Sequence, residues 1–468
     1  MSESGLLKKL NSDRAFSILC ELYGNSGGVS SGETEAGAAR LRYAKLITEM
    51  QNDASLNKGS GDLRVFSAPG RTELIGNHTD HNRGKVLAAS IQLDSAAIVQ
   101  ERSDNIIFFR SNGFPDVKVK LTDPAGNPDL QPKPEEEGMT EALVSGVAAE
   151  FAKRGCKPGG FSANAASNVL PGSGLSSSAA LEVLIGRIFD SLYGKEKYSP
   201  LEIAQIGQYA ENVYFKKPCG LMDQTACATG GAVAIDFADT AHPLVKQIDF
   251  DPEAAGYALC VVNTGGSHAD LTDDYASIPS EMKSIAAFFG KSVLREIDKE
   301  TVLCAAAEIR KAPSIPGGDR ALLRALHFFD ENARVDAMTK ALLEMENADT
   351  GASVIDCKAA KKEAFYRYLK LVNESADSSW KLLQNVYSAD SPASQGITTA
   401  LALTKDFLNK RSLRGAGRVH GGGFAGTIQV YIPLDVLNVY TDCIEAVFGK
   451  GSVTPLQIRS TGAAELLF

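Results

Sequence analysis

Three segments of this 468-residue chain carry side chains whose types and spacing suit chemistry. Residues 69–84 bring Arg71, Asn77, His78 and Asp80 into one glycine-bounded stretch. A carboxylate accepts hydrogen bonds in fixed geometry, and with amide and imidazole neighbours it suits a ligand rich in hydroxyls. The plainer alternative is a polar hairpin whose side chains close Asx-turns and caps. Residues 172–179, Gly-Ser-Gly-Leu-Ser-Ser-Ser-Ala, sit directly before a helical pattern. Small residues let backbone approach a phosphate, the helix N-terminus supplies N–H donors, and serine hydroxyls add donors or a metal ligand. Here simple helix capping by serine is the alternative. The third segment, His420 to Gly426, has four glycines among residues 421–426. A tight turn needs one or two, so a ligand or a neighbouring loop is expected against this one.

These segments need elements to hold them. Residues 63–67 start a strand that runs into a turn at Pro69-Gly70, and residues 86–99 suit one or two buried strands. After Ser176, Leu181, Leu184, Ile185, Ile188 and Leu192 recur at helical spacing, which predicts a core-facing helix. A further helix covers about 201–216, and strands follow near 232–237 and 257–263. Helices at about 280–289, 319–328, 359–373 and 395–409 then precede a strand at 427–432. Ahead of all this, residues 5–23 read as an amphipathic helix, 24–37 as a loop and 40–50 as a second helix. Residues 121–138, with four prolines, read as a solvated loop, and the acidic part of 331–362 as an insertion. The order shows no repeating βα unit, so the class is α+β. The expected divisions are a helical extension over 1–60, a first domain over 61–250 with the first two motifs, and a second over 251–468.

Composition narrows the function. Lys plus Arg total 48 against 57 for Asp plus Glu, a net charge of −9. That argues against a nucleic-acid partner, which selects a basic face. Residues 1–10 lack an apolar core behind their two lysines, and no run nears the ~20 apolar residues of a spanning helix. Eight scattered cysteines without a C-x-x-C pair point to a reducing cytoplasm rather than to disulfides or zinc. Neither H-E-x-x-H nor G-x-x-x-x-G-K-[ST] occurs. No membrane partner is expected, and oligomeric state is not legible.

In this order and at these separations, the three segments resemble those of the GHMP small-molecule kinases. The run from Gly70 to Asn82 resembles the galactokinase signature, and the likeness extends from about residue 60 to the C-terminus. It implies a ribosomal S5 domain 2-like N-terminal domain and a ferredoxin-like C-terminal domain, with the site in the cleft between them. The implied activity is an ATP-dependent sugar 1-kinase that phosphorylates the anomeric hydroxyl of galactose to galactose 1-phosphate, with Mg²⁺ as cofactor and ATP as co-substrate. By the same resemblance Asp223, in Cys219-Gly-Leu-Met-Asp-Gln224, is the catalytic carboxylate and Arg71 its companion. Ser178 and Glu211 fall at metal-ligand positions, and Asn77, His78, Asp80, Gly220 and Tyr275 at sugar-binding positions. Gly172, Ser173, Gly174, Leu175, Ser176, Ser177, Ser178 and Ala179 fall at ATP-binding positions.

The sequence departs from the pattern at three informative places. Asn77 stands where Glu is usual, His81 where Tyr is usual, and His420 where Thr or Ser is common. Exchange of Glu for Asn removes a repulsion against a sugar carboxylate, which leaves galacturonate or a related sugar as an alternative substrate. A non-catalytic sugar sensor is the other alternative; Ser178-Ala179, Asp223 and Arg71 count against it.

Overall fold

Two long neighbouring strands, β1 (Arg64–Ile75) and β2 (Lys85–Arg102), are the spine from which the site hangs. The computed structural model describes residues 5–24, 32–123, 125–126, 128–169, 174–265, 271–348 and 354–468. β2 is covered on both faces, and its small and β-branched residues, among them Ala88, Ala89, Ala97, Ile98 and Val99, suit such a strand. It changes partner along its length: residues 95–102 pair with β5 (Gly160–Ser167) and residues 85–89 with β6 (Ala232–Asp236).

Among the described residues this sheet has eight strands in the order β12–β1–β2–β5–β3–β4, with β6 and then β7 (Leu244–Ile248) joined to the first half of β2. Here β3 is Ile106–Ser111, β4 is Val117–Lys120 and β12 is Ala464–Glu465. Helices α4 (Thr140–Lys153), α5 (Ser177–Phe189), α6 (Pro200–Tyr209) and α7 (Met222–Thr229) cover one face through Val144, Leu184, Ile188 and Ile203. Alternate residues of β1 and β2 face the other way. There Val65 and Ile98 meet α1 (Gly5–Leu10), α2 (Asp13–Tyr23) and α3 (Gly32–Asn52).

Farther along β2, Leu87, Ala89 and Ile91 join a core with a second, antiparallel sheet. Its order is β11 (Val453–Leu456), β8 (Tyr257–Asn263), β10 (Thr427–Pro433), β9 (Ala416–His420). Leu259, Val261 and Tyr431 of this sheet share that core with α11 (Asp319–Asn347) and α12 (Val354–Ser378). Helices α13 (Gly396–Lys410) and α14 (Leu437–Phe448) cover its other face. Three more helices, α8 (Thr272–Phe288), α9 (Lys299–Cys304) and α10 (Ala306–Ile309), flank α11.

Several boundaries differ from the sequence reading for physical reasons. The expected turn at Pro69-Gly70 is a bulge inside a continuous β1, where the register with β2 slips between Pro69 and Arg71. Proline, which has no N–H to give, is tolerated at such a slip. The helix expected over 5–23 breaks at Ser12, whose hydroxyl caps α2 by accepting from Ala15 N at 3.2 Å. Helix α3 begins at Gly32, inside the expected 24–37 loop. Residues 331–347 continue α11, with Val335, Met338 and Leu342 in the core, while Thr350 and Gly351 of the expected insertion lie outside the described residues. None of the eight cysteines is in a disulfide. Among the described residues no helix is long and apolar enough to cross a membrane.

Candidate active site

The bulge in β1 aims Arg71 at the start of two helices. Gly70 lets the strand approach the loop before α5: an added methyl there would come within 2.8 Å of the Leu175 carbonyl, and Arg71 N donates to that same oxygen at 3.1 Å. The buried Arg71 guanidinium then grips Asp223 with two bonds, Nε to Oδ1 at 2.8 Å and Nη2 to Oδ2 at 2.6 Å, while Nη1 donates to the Gly174 carbonyl. Asp223 lies in the first turn of α7. Ser176 Oγ donates to its Oδ2 at 2.5 Å. Burial alone would raise the Asp223 pKa, but Arg71 and the Ser176 hydroxyl outweigh it and hold the carboxyl below its usual 3.8. The side chain still shows 33% of its surface to solvent, so a ligand can reach it.

Ser176 is therefore not the helix cap that its type suggested. It adopts a left-handed φ of 60° and leaves the N-terminus of α5 without a side-chain cap. That end faces the loop with its dipole and its amides available to an anion. Gly174 and Ser176–Ser178 stay partly exposed, whereas the Leu175 and Ala179 side chains are core residues, so these two could meet a nucleotide only through backbone. Gly172 and Ser173 lie outside the described residues.

The two expected metal ligands are neighbours. Ser178 Oγ lies 3.4 Å from Glu211 Oε1, on a π-turn after α6 that spans Ala210–Tyr214. Lys217 Nζ sits 3.2 Å from the same oxygen, so the carboxylate already draws a cation. Gln224 Nε2 bridges Glu211 Oε2 and the buried Glu182 Oε2, each at 2.9 Å. Burial and the nearby Glu211 push the Glu182 carboxyl well above the usual range. One carboxylate and one hydroxyl are hard oxygen donors, a set that fits Mg²⁺ when nucleotide phosphates complete its shell. Among the described residues no cluster of three metal-ligating His, Cys, Asp or Glu side chains exists.

On the other side of Asp223, the strand-following motif meets the segment that carries it. A methyl at Gly220 would collide with the Asp80 carboxylate, so only glycine lets the two approach. Asp80 Oδ1 accepts from His81 N at 2.9 Å. His78 has a φ of 60°, and its Nε2 lies 2.9 Å from the Gly422 carbonyl. Burial lowers its pKa to about 4, so the ring is neutral at pH 7. Tyr275 Oη donates to the Gly423 carbonyl at 3.0 Å, and burial lifts its pKa to about 12. Asn77 is buried, with its carboxamide taken up by Glu73, Gly421 and Asn385.

The third glycine segment has the neighbouring loop that its composition required. A methyl at Gly174 would come within 3.0 Å of His420 Nδ1, and a methyl at Gly421 would sit 3.6 Å from Gly174 Cα. His420 itself bridges Thr72 Oγ1 at 3.0 Å and Thr427 Oγ1 at 3.1 Å. All three segments thus converge around Asp223. Sequence reasoning missed Lys217 and Gln224, although both border the Asp223 segment. It also missed His327 and Asn385, whose partners are remote in sequence and gave no local signal.

A two-sheet fold with a helix N-terminus beside an Arg–Asp pair is compatible with a GHMP small-molecule kinase, and the chain's relatives place it in that class. Residues 142–231 match the model for the GHMP kinases N terminal domain, and residues 57–101 match the galactokinase galactose-binding signature. Galactokinase from Streptomyces coelicolor is 30% identical over 448 residues, covering 93% of this chain and 100% of that protein. Galactokinase from Glaesserella parasuis is 30% identical over 384 residues, or 80% and 86% of the two chains. The chain belongs to the galactokinase family. Its fold agrees with the crystal structure of Lactococcus lactis galactokinase complexed with galactose, at a TM-score of 0.70, 22% identity and coverage of 91% of this chain and 100% of that one.

Proposed function

We propose that this enzyme transfers the γ-phosphoryl group of ATP to the anomeric hydroxyl of galactose, giving galactose 1-phosphate and ADP. The observation that carries this is Asp223: a solvent-reachable carboxylate set between a hydroxyl-reading motif and an uncapped helix N-terminus. The sugar oxygen forms the new bond to phosphorus while the bond from phosphorus to the ADP oxygen breaks. The proton of the attacking hydroxyl passes to Asp223, which Arg71 and Ser176 keep ionised. Phosphoryl transfer is mostly positioning and electrostatics, and Arg71 offsets negative charge beside the moving group. The α5 N-terminus, with Gly174 and Ser176–Ser178, is assigned to the phosphates, which resolves how a chain of net charge −9 holds an anion. Ser178 and Glu211 are assigned to Mg²⁺, which when bound supplies charge neutralisation on the phosphate oxygens. Residues 61–250 and 251–468 are assigned as the two kinase domains, and residues 1–60 as an added helical layer.

Asp80, His78, Gly220 and Tyr275 are assigned to the sugar. Asn77 supports this position from behind, since its carboxamide is spent on protein partners. A neutral sugar therefore suits the site better than galacturonate, because Arg71 and Lys217 are already paired with Asp223 and Glu211. ATP consumption with a sugar panel tests the reading. Preference for galactose supports it; a higher kcat/KM on galacturonate, or sugar binding without turnover, overturns it.

A further inference from the structure

Behind the sugar motif lies a hydrogen-bonded group of neutral side chains, of which Asn385, His327 and Ser378 have no part in the proposed reaction. The turn at Gly421–Gly423 presents three consecutive carbonyls, and each is taken by a donor from another element. Asn77 Nδ2 donates to Gly421 O at 2.7 Å, and Tyr275 Oη donates to Gly423 O at 3.0 Å. Gly422 O takes two partners, His78 Nε2 at 2.9 Å and Asn385 Nδ2 at 3.0 Å. Asn385 Nδ2 also donates to Asn77 Oδ1 at 2.7 Å. His327 Nε2, from α11, lies 3.0 Å from the Asn77 carbonyl, and its Nδ1 lies 2.9 Å from Ser378 Oγ. A carbonyl can only accept, so His78 and His327 both carry their hydrogen on Nε2, and Ser378 donates to His327 Nδ1.

The turn needs such holding. Gly421 has a φ of 67°, Gly423 of 84° and Phe424 of 59°; the last is a left-handed non-glycine residue, a conformation disfavoured by its Cβ. Asn385 braces it a second way: its carbonyl accepts from Phe424 N at 2.5 Å, and a methyl at Gly423 would collide with that carbonyl. Both Asn385 and His327 have 0% exposure, so each bond is made out of competition with water. The same bonds set polarity. With Nε2–H committed to Gly422, the neutral His78 ring has Nδ1 as an acceptor, and the Tyr275 hydrogen is committed to Gly423. Acceptors of this kind favour hydroxyl groups over a carboxylate.

We propose that Asn385 and His327 are positioning residues for the sugar side of the site: they lock Asn77 to the Gly421–Gly423 turn and so hold His78 and Tyr275 in one register. This rests on the assignment of His78, Asp80 and Tyr275 to the sugar. Among the described residues, neither is hydrogen-bonded to Arg71, Ser176 or Asp223, which are joined by their own bonds.

The test is steady-state kinetics of Asn385→Ala, His327→Leu and His327→Gln, with hydrogen exchange of residues 419–427 followed in the same full-length proteins. Loss of a buried bond that leaves its partner unpaired is expected to raise the galactose KM about tenfold or more, with the ATP KM held within about twofold. Glutamine keeps an N–H that can reach the Asn77 carbonyl, so His327→Gln should return the galactose KM to within about threefold of wild type while His327→Leu does not. Exchange over 421–424 should quicken in Asn385→Ala and His327→Leu. An equal rise in both KM values, a glutamine variant no better than leucine, or unchanged exchange would each overturn the proposal. If Asn385→Ala does not fold, the two His327 variants decide it. If wild-type enzyme turned over no galactose, the functional reading would fall, and exchange alone would decide the lock: faster supports it, unchanged overturns it.

Discussion

Two aspartates in this molecule are built from nearly the same parts and differ in their access to solvent. Asp223 is held by Arg71 and Ser176 and keeps a third of its surface open. Asp94, on β2, is held by Arg42 at 2.5 Å, by Tyr23 at 2.6 Å and by the Ser67 hydroxyl, with Arg459 3.5 Å away and no exposed surface. Tyr23 belongs to α2 and Arg42 to α3, so Asp94 is where the N-terminal helices are fastened to the sheet. Both carboxyls sit below the usual 3.8: burial raises each, and arginine with hydroxyl donors more than reverses it. A depressed carboxyl therefore does not mark the catalyst. What separates the two is saturation: the Asp94 oxygens are sealed among protein donors, whereas Asp223 is open to one more partner.

Variants can break this contrast or sharpen it. Asp94→Ala leaves buried guanidinium and tyrosine groups unpaired and should cost about 3–5 kcal/mol in urea unfolding, with kcat on galactose held within about twofold. A collapse of kcat in folded protein would mean that the helical layer acts on the chemistry. Arg71→Lys should do the reverse. A lysine cannot grip both carboxylate oxygens, so kcat should fall about 10²-fold or more with little change in melting temperature. Ser176→Ala removes one hydrogen bond to a charged group and should lower kcat about tenfold.

The smallest effect is on pH. A depressed folded pKa gives stability that is present above the unfolded value and lost as pH falls through the folded one. For Asp94 that loss is expected below about pH 4, and the acid limb of urea stability should flatten in Asp94→Asn. The base limb of kcat/KM should likewise lie below the ordinary 3.8 in wild type and shift upward in Ser176→Ala.

Legibility in the sequence followed the range of the forces involved. The α5 helix was visible because Leu184, Ile185 and Ile188 repeat at helical spacing and are all buried. The Pro69-Gly70 bulge was misread because its cause, the approach of the Leu175 carbonyl, is remote in sequence. Asp223 and Arg71 were singled out by resemblance, and their pairing then required the fold. Nothing local marked Asp94, Asn385 or His327; each is defined by partners tens to hundreds of residues away. Serines were the most misleading type. Ser12 does cap a helix, while Ser176, in an equally cap-like place, turns to the Asp223 carboxylate.

The most direct test of the central claim is Asp223→Asn, a near-isosteric change, assayed for galactose 1-phosphate by phosphorus NMR alongside its thermal melt. Loss of the general base should cut kcat by about 10²–10⁴-fold while the fold persists and the melt stays within a few degrees of wild type. Full activity in the folded variant would contradict the assignment of Asp223 as the group that takes the sugar's proton.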